Sequence, residues 1–221
     1  MYMKPLTDFL PDTLPEDPLP LAASWLEQAY AAASQPNPNA MVLATVDAAG
    51  CPSARVVLCK EINAAQGYIS FFTNYESRKG HELAANGRAA VVMHWDALHR
   101  QLRIEGLVER APAGESDEYF ATRPWQRRVG AWASAQSRPL AQRRDLERAV
   151  EATAARFGVP VPGPEYDNSV TANIPRPPHW GGYHLRIDAL ELWTEGGSRL
   201  HDRARWQRAA SGRWTHTRLQ P

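Results

Sequence analysis

Two periods of hydrophobicity divide this chain into elements. Residues 1–20 show neither. They are rich in proline and read as a mobile arm ending at Pro18-Leu19-Pro20, where proline suits a helix start. The run LAASWLEQAYAAAS, Leu21 to about Ser34, places Leu21, Trp25 and Leu26 on one side of a helix. The stretch QPNPNA breaks it. From Met41 the period drops toward two. MVLATVD, PSARVVLCKEI and YISFFTN read as three strands turning at Ala48-Ala49-Gly50 and at residues 63–67, an expected antiparallel meander. SRKGHELAAN predicts a short helix that stops at Gly87, and AAVVMHW and RQLRIEGLVER predict two more strands. GESDEYFATR predicts a helix capped by Ser116 and ended by Pro124. Residues 124–139 read as loop, LAQRRDLERAVEATAARF as helix, and 158–178 as a long proline-containing connection. GYHLRIDALELW, RLHDRARWQRAA and RWTHTRLQ close the chain as strands, the last two joined at Ser211-Gly212. The pattern is mainly β with flanking helices, an α+β chain. It predicts a single barrel-like domain over residues 21–221, because closing a sheet removes its exposed edges.

Composition narrows the function classes. The 221 residues carry 25 Lys+Arg against 24 Asp+Glu, a formal charge of +1, which argues against a polybasic nucleic-acid binder. With 43% hydrophobic residues the chain falls in the globular class and needs no disulfide or metal staple. Cys51 and Cys59, the two cysteines, are a poor disulfide candidate and too few for a zinc cage. The first 20 residues contain no apolar core of a secretory signal, and no run reaches the roughly 18–20 apolar residues of a membrane span. A reduced, cytoplasmic protein is the expectation, with no metal site. Lysine occurs only at Lys4, Lys60 and Lys79, every other basic residue being Arg, so a compact ammonium at Lys60 and Lys79 stands out.

Four segments set charge into apolar strands or their ends. In Arg55-Val56-Val57-Leu58-Cys59-Lys60 the two cations point to opposite faces of a regular strand; this is either a solvated face or a grip on an anion at an edge. In Phe72-Thr73-Asn74-Tyr75-Glu76-Ser77-Arg78-Lys79 a strand runs into a helix start. Free N–H groups beside Arg78 and Lys79 suit a phosphate, while ordinary capping by Ser77 is the plainer account. Tyr119 and Arg123, spaced i, i+4, share a helix face that could hold a second phosphate or simply pack. Arg199, His201 and Arg203 alternate, so one strand face would carry all three, a costly set to bury without an anionic or aromatic partner. His94 and His99 read as structural. Dinucleotide, P-loop, zinc-protease and nucleophile-elbow motifs are absent.

These segments, in this order, resemble the pyridoxamine 5′-phosphate oxidase family. The closing Glu191-Leu192-Trp193 through Arg199-Leu200-His201-Asp202-Arg203 is similar to that family's C-terminal signature. Further matches are Arg100-Gln101, Tyr119-Phe120 with Arg123-Pro124, Gly130-Ala131-Trp132-Ala133-Ser134 with Gln136-Ser137, and Pro177-Pro178 with Trp180-Gly181-Gly182. The resemblance implies an FMN-binding split β-barrel, a homodimer with FMN at its interface. It also implies oxidation of pyridoxine or pyridoxamine 5′-phosphate to pyridoxal 5′-phosphate by O2, with release of hydrogen peroxide. Carried over by motif, Arg55, Lys60, Thr73, Arg78, Lys79, Gln101, Gln136, Ser137, Trp193 and Arg203 would contact FMN, with Val56, Val57, Leu58, Cys59 and Phe72 in the same segments. Lys60, Tyr119 and Arg123 would hold substrate phosphate, and Arg199 and His201 would lie against its ring as the catalytic pair. Three departures bear on substrate fit. Arg127 stands where a small Ser of the phosphate site is usual, Leu192 replaces an aromatic, and Thr194 stands where Gln, His or Gly is usual. Two alternatives remain: a related FMN oxidoreductase acting on another aromatic metabolite, and a non-catalytic protein binding flavin or pyridoxal phosphate.

Overall fold

The computed structural model describes residues 9–165 and 170–221. Five helices are present among them: α1 Leu19–Ala32, α2 Arg78–Ala85, α3 Ala113–Ala121, α4 Trp125–Ala133 and α5 Arg143–Phe157. The strands are β1 Ala40–Val46, β2 Pro52–Leu58, β3 Glu61–Asn63, β4 Tyr68–Asn74, β5 Arg88–Trp95, β6 Arg100–Arg110, β7 Trp180–Thr194, β8 Asp202–Arg208 and β9 Trp214–Leu219. They join one sheet in the order β2-β1-β5-β6-β7-β4-β3, with β8 pairing β7 and β9 pairing β8. The described chain divides into two compact units. One takes the described parts of Met1–Phe71, Asn86–Glu109 and His184–Pro221; the other takes those of Phe72–Ala85 and Arg110–Tyr183.

In the first unit, strict alternation puts Met41, Leu43 and Thr45 of β1 and Val91 and Met93 of β5 into the core, where each is almost fully buried. The expected meander of the first three runs forms in two halves, β1 with β2 and β3 with β4, because the middle run splits. β1 lies between β2 and β5, with Val42 opposite both Val56 and Val92, so β2 is left bonded to β1 alone. The run from Pro52 to Ile62 breaks at Cys59-Lys60 into β2 and β3. The Lys60 N–H donates to Ser70 O at 2.8 Å, and β3 hairpins onto β4 with Ile62 opposite Ile69. Residues 9–18 of the expected arm lie within this unit. The Leu10 N–H donates to Asp202 Oδ2 at 2.9 Å, and Trp206 Nε1 donates to Pro15 O at 2.9 Å. The remainder of that arm, residues 1–8, lies outside the described residues.

In the second unit, two sequence expectations are corrected. Ser116 does not cap α3: Pro112 precedes the first turn, and Ser116 is fully buried inside the helix, its Oγ accepting from the Gly182 N–H at 3.0 Å. Pro124 does not lead into a loop but starts α4, whose Trp125 and Val129 pack with Ile174 as a small core. The proline ring pre-sets the entry of a helix as readily as it ends one. Residues 158–165 and 170–178 form no regular element, as expected of the long connection.

Cys59 is fully buried, and burial pushes its thiol up to about 12, whereas Cys51 is exposed. At pH 8 a thiol reagent should therefore titrate one cysteine of the native chain, and the second only after denaturation. Cys51→Ser should abolish the fast phase. Two thiols reacting at equal rates in folded protein would contradict this burial.

Candidate active site

The first unit holds the Arg55 segment and the C-terminal signature. On β2, Arg55 lies half-buried on the core side of the strand. Its guanidinium donates to Thr45 Oγ1, to Ser53 Oγ and, at 3.3 Å, to Leu43 O. Val56 points the other way and is 65% exposed, while Val57 and Leu58 are half-buried. Cys59 is engaged on every polar atom: its N–H donates to Asn39 O at 2.9 Å, its O accepts from Asn39 Nδ2 at 2.6 Å, and its Sγ lies 3.3 Å from Glu61 O. Lys60, in the break before β3, is exposed.

Arg199, His201 and Arg203 do not share a strand face, contrary to their spacing. β8 begins only at Asp202, and Arg199 ends a single 3-10 turn over Gly197–Arg199. Ser198 and Arg199 both take left-handed conformations, φ +56° and +65°, and such a pair breaks the period of two. Arg199 is therefore exposed on a turn. His201 packs its ring 4.7 Å from that of Trp193, and its Nδ1 accepts from the Gly196 N–H at 3.2 Å. That bond selects the neutral tautomer protonated at Nε2.

Arg203 lies opposite Trp193 in the β7–β8 ladder and is committed to Glu191. Its Nε and Nη2 donate to Glu191 Oε1 at 3.1 and 2.8 Å, and Nη1 donates to Gln220 O at 3.0 Å. Glu191 is only 3% exposed, and Arg103 reaches its other oxygen at 3.3 Å. Next to this pair, Arg205 grips Glu105 through two bonds of 3.0 and 2.8 Å, which holds the Glu105 carboxyl below the ordinary carboxylate range. Gln101 lies between two contacts, Glu195 N–H to His99 O at 3.0 Å just beyond the ends of β7 and β6, and Arg103 of β6 to Glu191 of β7, which sets it level with Trp193. Trp193, His201 and Arg203 thus come together, with Gln101 at their level and Arg199 apart on its turn. Glu191 was quoted in the sequence motif but not singled out. Its signal was a carboxylate in the apolar run Ala189–Trp193 facing a strand of arginines.

The second unit holds two further groups. At the β4–α2 junction Lys79 is buried, and its Nζ donates to Gln136 Oε1 at 2.7 Å, Thr73 Oγ1 at 2.9 Å and Ser77 Oγ at 3.1 Å. Neighbouring Arg78 is exposed and pairs with the buried Glu82 at 2.8 Å. Ser137 follows Gln136 with φ +70°. Thr73, Lys79 and Gln136 are thus one cluster, with Arg78 at its edge. Tyr119 and Arg123 form the other group, but not by i, i+4 spacing, since α3 ends at Ala121 and Arg123 follows its C-cap. They meet on aromatic rings instead. Tyr119 stacks on Phe72 at 4.0 Å and lies parallel to Trp180 at 6.2 Å, and the Arg123 guanidinium carbon is 4.6 Å from the Trp180 ring centre. Trp180 was a motif landmark with no role assigned from sequence. Arg127 is exposed on α4.

Comparison with known proteins bears directly on these groups. A family profile described as "Pyridoxamine 5'-phosphate oxidase" matches residues 26–157, and one described as "Pyridoxine 5'-phosphate oxidase C-terminal dimerisation region" matches residues 180–221. The chain belongs to the pyridoxamine 5′-phosphate oxidase family. Within it, the "Pyridoxine/pyridoxamine 5'-phosphate oxidase" of Cupriavidus necator is 51% identical over 205 residues, 93% of this chain and 89% of that one. The protein of the same name from Cereibacter sphaeroides is 47% identical, covering 93% and 96%. Among solved structures, PhzG from Burkholderia lata, in complex with tetrahydrophenazine-1-carboxylic acid, superposes with a TM-score of 0.83 at 31% identity over 95% of both chains. A Nostoc punctiforme protein described as pyridoxamine 5′-phosphate oxidase-related and FMN-binding shares the fold at TM-score 0.67 and 14% identity, covering 100% of both chains. The fold is the mainly antiparallel split barrel of this family. No helix among the described residues is long and apolar enough to cross a membrane.

The turn that carries Arg199 rests on one glycine of the family signature. A Cβ on Gly196 would lie 1.7 Å from Leu200 O, whereas one on Gly197 would meet nothing within 4 Å. Gly196→Ala must open the turn and release the bond that orients His201. We expect its melting temperature to fall by several degrees, in line with about 1–3 kcal/mol of overpacking. Gly197→Ala should melt within about 2 degrees of the parent, an effect of under 0.5 kcal/mol. Equal melting of the two variants would refute the turn's geometry.

Proposed function

We propose that this chain is an FMN-dependent oxidase that converts pyridoxine or pyridoxamine 5′-phosphate to pyridoxal 5′-phosphate with O2 as acceptor. The observation that carries the reading is the gathering of Tyr119 and Arg123 on the Phe72–Trp180 stack, a tyrosine and an arginine on one set of rings, side chains suited to a phosphate monoester. Relatives named for this activity at 47–51% identity support it.

The residues present fit FMN. Lys79 is buried with neutral oxygens at 2.7–3.1 Å, so a phosphate dianion arriving there meets an ammonium already stripped of water. Thr73, Arg78 and Gln136 would add donors to the same phosphate, with Ser137 beside them. Arg55, Lys60, Gln101, Trp193 and Arg203 would contact the remainder of FMN, along with Val56, Val57, Leu58, Cys59 and Phe72 of the same segments. FMN held there would supply two-electron redox chemistry between substrate C4′ and O2. The alcohol substrate with O2 gives the aldehyde and hydrogen peroxide; the amine substrate with O2 and water gives the aldehyde, ammonia and hydrogen peroxide.

The chain's own part is placement and charge. Tyr119, Arg123, Lys60 and Arg127 hold the substrate phosphate. His201, protonated on Nε2 when neutral, would present a donor to the pyridine ring or its oxygen, and Arg199 on its turn would lie against the ring. Arg203 brings a cation whose charge is already shared with Glu191, so it orients the flavin edge more than it charges it. A homodimer is supported by the match of residues 180–221 to a dimerisation region, and FMN would lie at its interface.

A second reading has its own observation, the likeness to PhzG, and would place a phosphate-free polycycle in the same site. The two are separated by one assay series under air: peroxide release with pyridoxine 5′-phosphate, with pyridoxamine 5′-phosphate and with a reduced phenazine carboxylate. Purified protein should be yellow and release FMN on denaturation. Turnover of the phenazine substrate alone would overturn the vitamin B6 reading. Arg78→Ala with Lys79→Ala should give mostly apoprotein, and full flavin occupancy there would remove the phosphate assignment. Arg199→Ala should keep its flavin and lose roughly 100-fold in kcat/KM, about 2.7 kcal/mol of transition-state stabilisation. If kcat per bound flavin in that variant equals the parent value, Arg199 has no part in the chemistry.

A further inference from the structure

We propose that Trp180 is a positioning residue that holds Tyr119 and Arg123 together as one phosphate-binding pair. The inference rests on the substrate-phosphate role given to those two residues above. Trp180 starts β7 and is 7% exposed. Its indole lies parallel to the Tyr119 ring, at 6.2 Å and 6°, and to the Phe72 ring, at 5.6 Å and 15°. Phe120 meets it edge-on at 5.0 Å. The Arg123 guanidinium carbon is 4.6 Å from its centre. One ring system therefore touches both phosphate ligands, although they leave α3 on different sides of its C-terminus.

The form of these contacts matters. A cation over a ring is held by the ring's charge distribution, which orients the guanidinium through its face. Tyr119 is oriented through its ring faces in the same way. The Trp180 backbone that carries the indole is itself fixed from several directions. The Trp180 N–H donates to Pro177 O at 3.1 Å, and its O accepts from Arg176 Nη1 at 2.7 Å. Arg176 also pairs with Asp117 of α3 at 2.7 Å, and Gly182 bonds Ser116 of α3. The two glycines that follow permit this fit. A Cβ on Gly181 would lie 2.1 Å from Tyr75 Oη, and one on Gly182 would lie 2.8 Å from Phe72 Cε1. The helix that carries Tyr119 is thereby drawn onto the strand that carries Trp180.

A residue that only fills the core changes stability and leaves substrate affinity in the folded fraction alone. A positioning residue for the phosphate raises KM at unchanged kcat, because phosphate binding is common to ground and transition states. The test uses flavin-loaded protein and pyridoxine 5′-phosphate. Trp180→Leu should raise KM about tenfold with kcat per flavin within about twofold, and Trp180→Phe, which keeps a ring face, should raise it less than about threefold. In a Tyr119→Phe/Arg123→Ala background, adding Trp180→Leu should change KM less than about twofold, since what it positions is gone. An equal KM increase in both backgrounds overturns the proposal, as does a lowered melting temperature at unchanged KM. Should Trp180→Leu fail to fold, Trp180→Phe carries the same comparison, and an unchanged KM in that variant counts against the proposal. Failure of the underlying reading looks different: flavin-loaded parent protein would then release no peroxide with either phosphorylated substrate.

Discussion

A carboxylate buried in a strand must be paired, and in the first unit Glu191 imposes that requirement on everything near it. With 3% of its surface exposed, it would be severely destabilising alone, and two arginines answer it from opposite sides, Arg203 of β8 and Arg103 of β6. The three strands are thereby locked in one register, and Trp193, two residues along the same face of β7, is set beside them. The side chains assigned to the flavin here stand on a frame that electrostatics makes hard to slip. The same pairing limits chemistry, because an arginine that already shares two bonds with a carboxylate is a director of hydrogen bonds rather than a free positive charge.

The second unit handles its cations differently. Lys79 reaches Thr73, Ser77 and Gln136, Arg123 lies over indole and phenyl rings, and Arg78 pairs with the buried Glu82. Hydroxyl, amide and ring contacts orient a cation through their dipoles. The contrast with the Glu191 pairings of the first unit matches the division proposed between binding phosphates and orienting a ring.

Much of this was legible in the sequence, and the limits are physical. Tyr68–Asn74 was read to the residue, because alternation bounded by turn residues is a local signal. The order of strands was not, since whether β2 or β5 borders β1 on a given side depends on partners distant in sequence. α4 was hidden by Gln126, Arg127 and Arg128, which dilute the apolar spacing of Trp125 and Val129. The period of two places Arg199 and His201 on one strand face, whereas Arg199 lies on a turn before β8, because two left-handed residues leave no mark in hydropathy. Lys79 stood out as one of three lysines in a chain that otherwise uses arginine, yet its ring of oxygens includes Gln136, 57 residues away. Trp180 was visible only as part of a motif, since its significance lies in which rings lie against it.

Burial of Cys59 has a consequence for durability. Peroxide attacks thiolates, not thiols, and the path from thiolate to sulfenic and then sulfinic acid begins with loss of the proton. Under the proposed reaction, hydrogen peroxide would be released at each turnover beside the chain's own side chains. Cys59 sits in the segment between Arg55 and Lys60, and its proton is retained to about pH 12 because burial disfavours the charged form. The fold thus protects that sulfur by denying it ionisation, and leaves exposed Cys51, in the turn before β2, as the place where oxidative damage would begin.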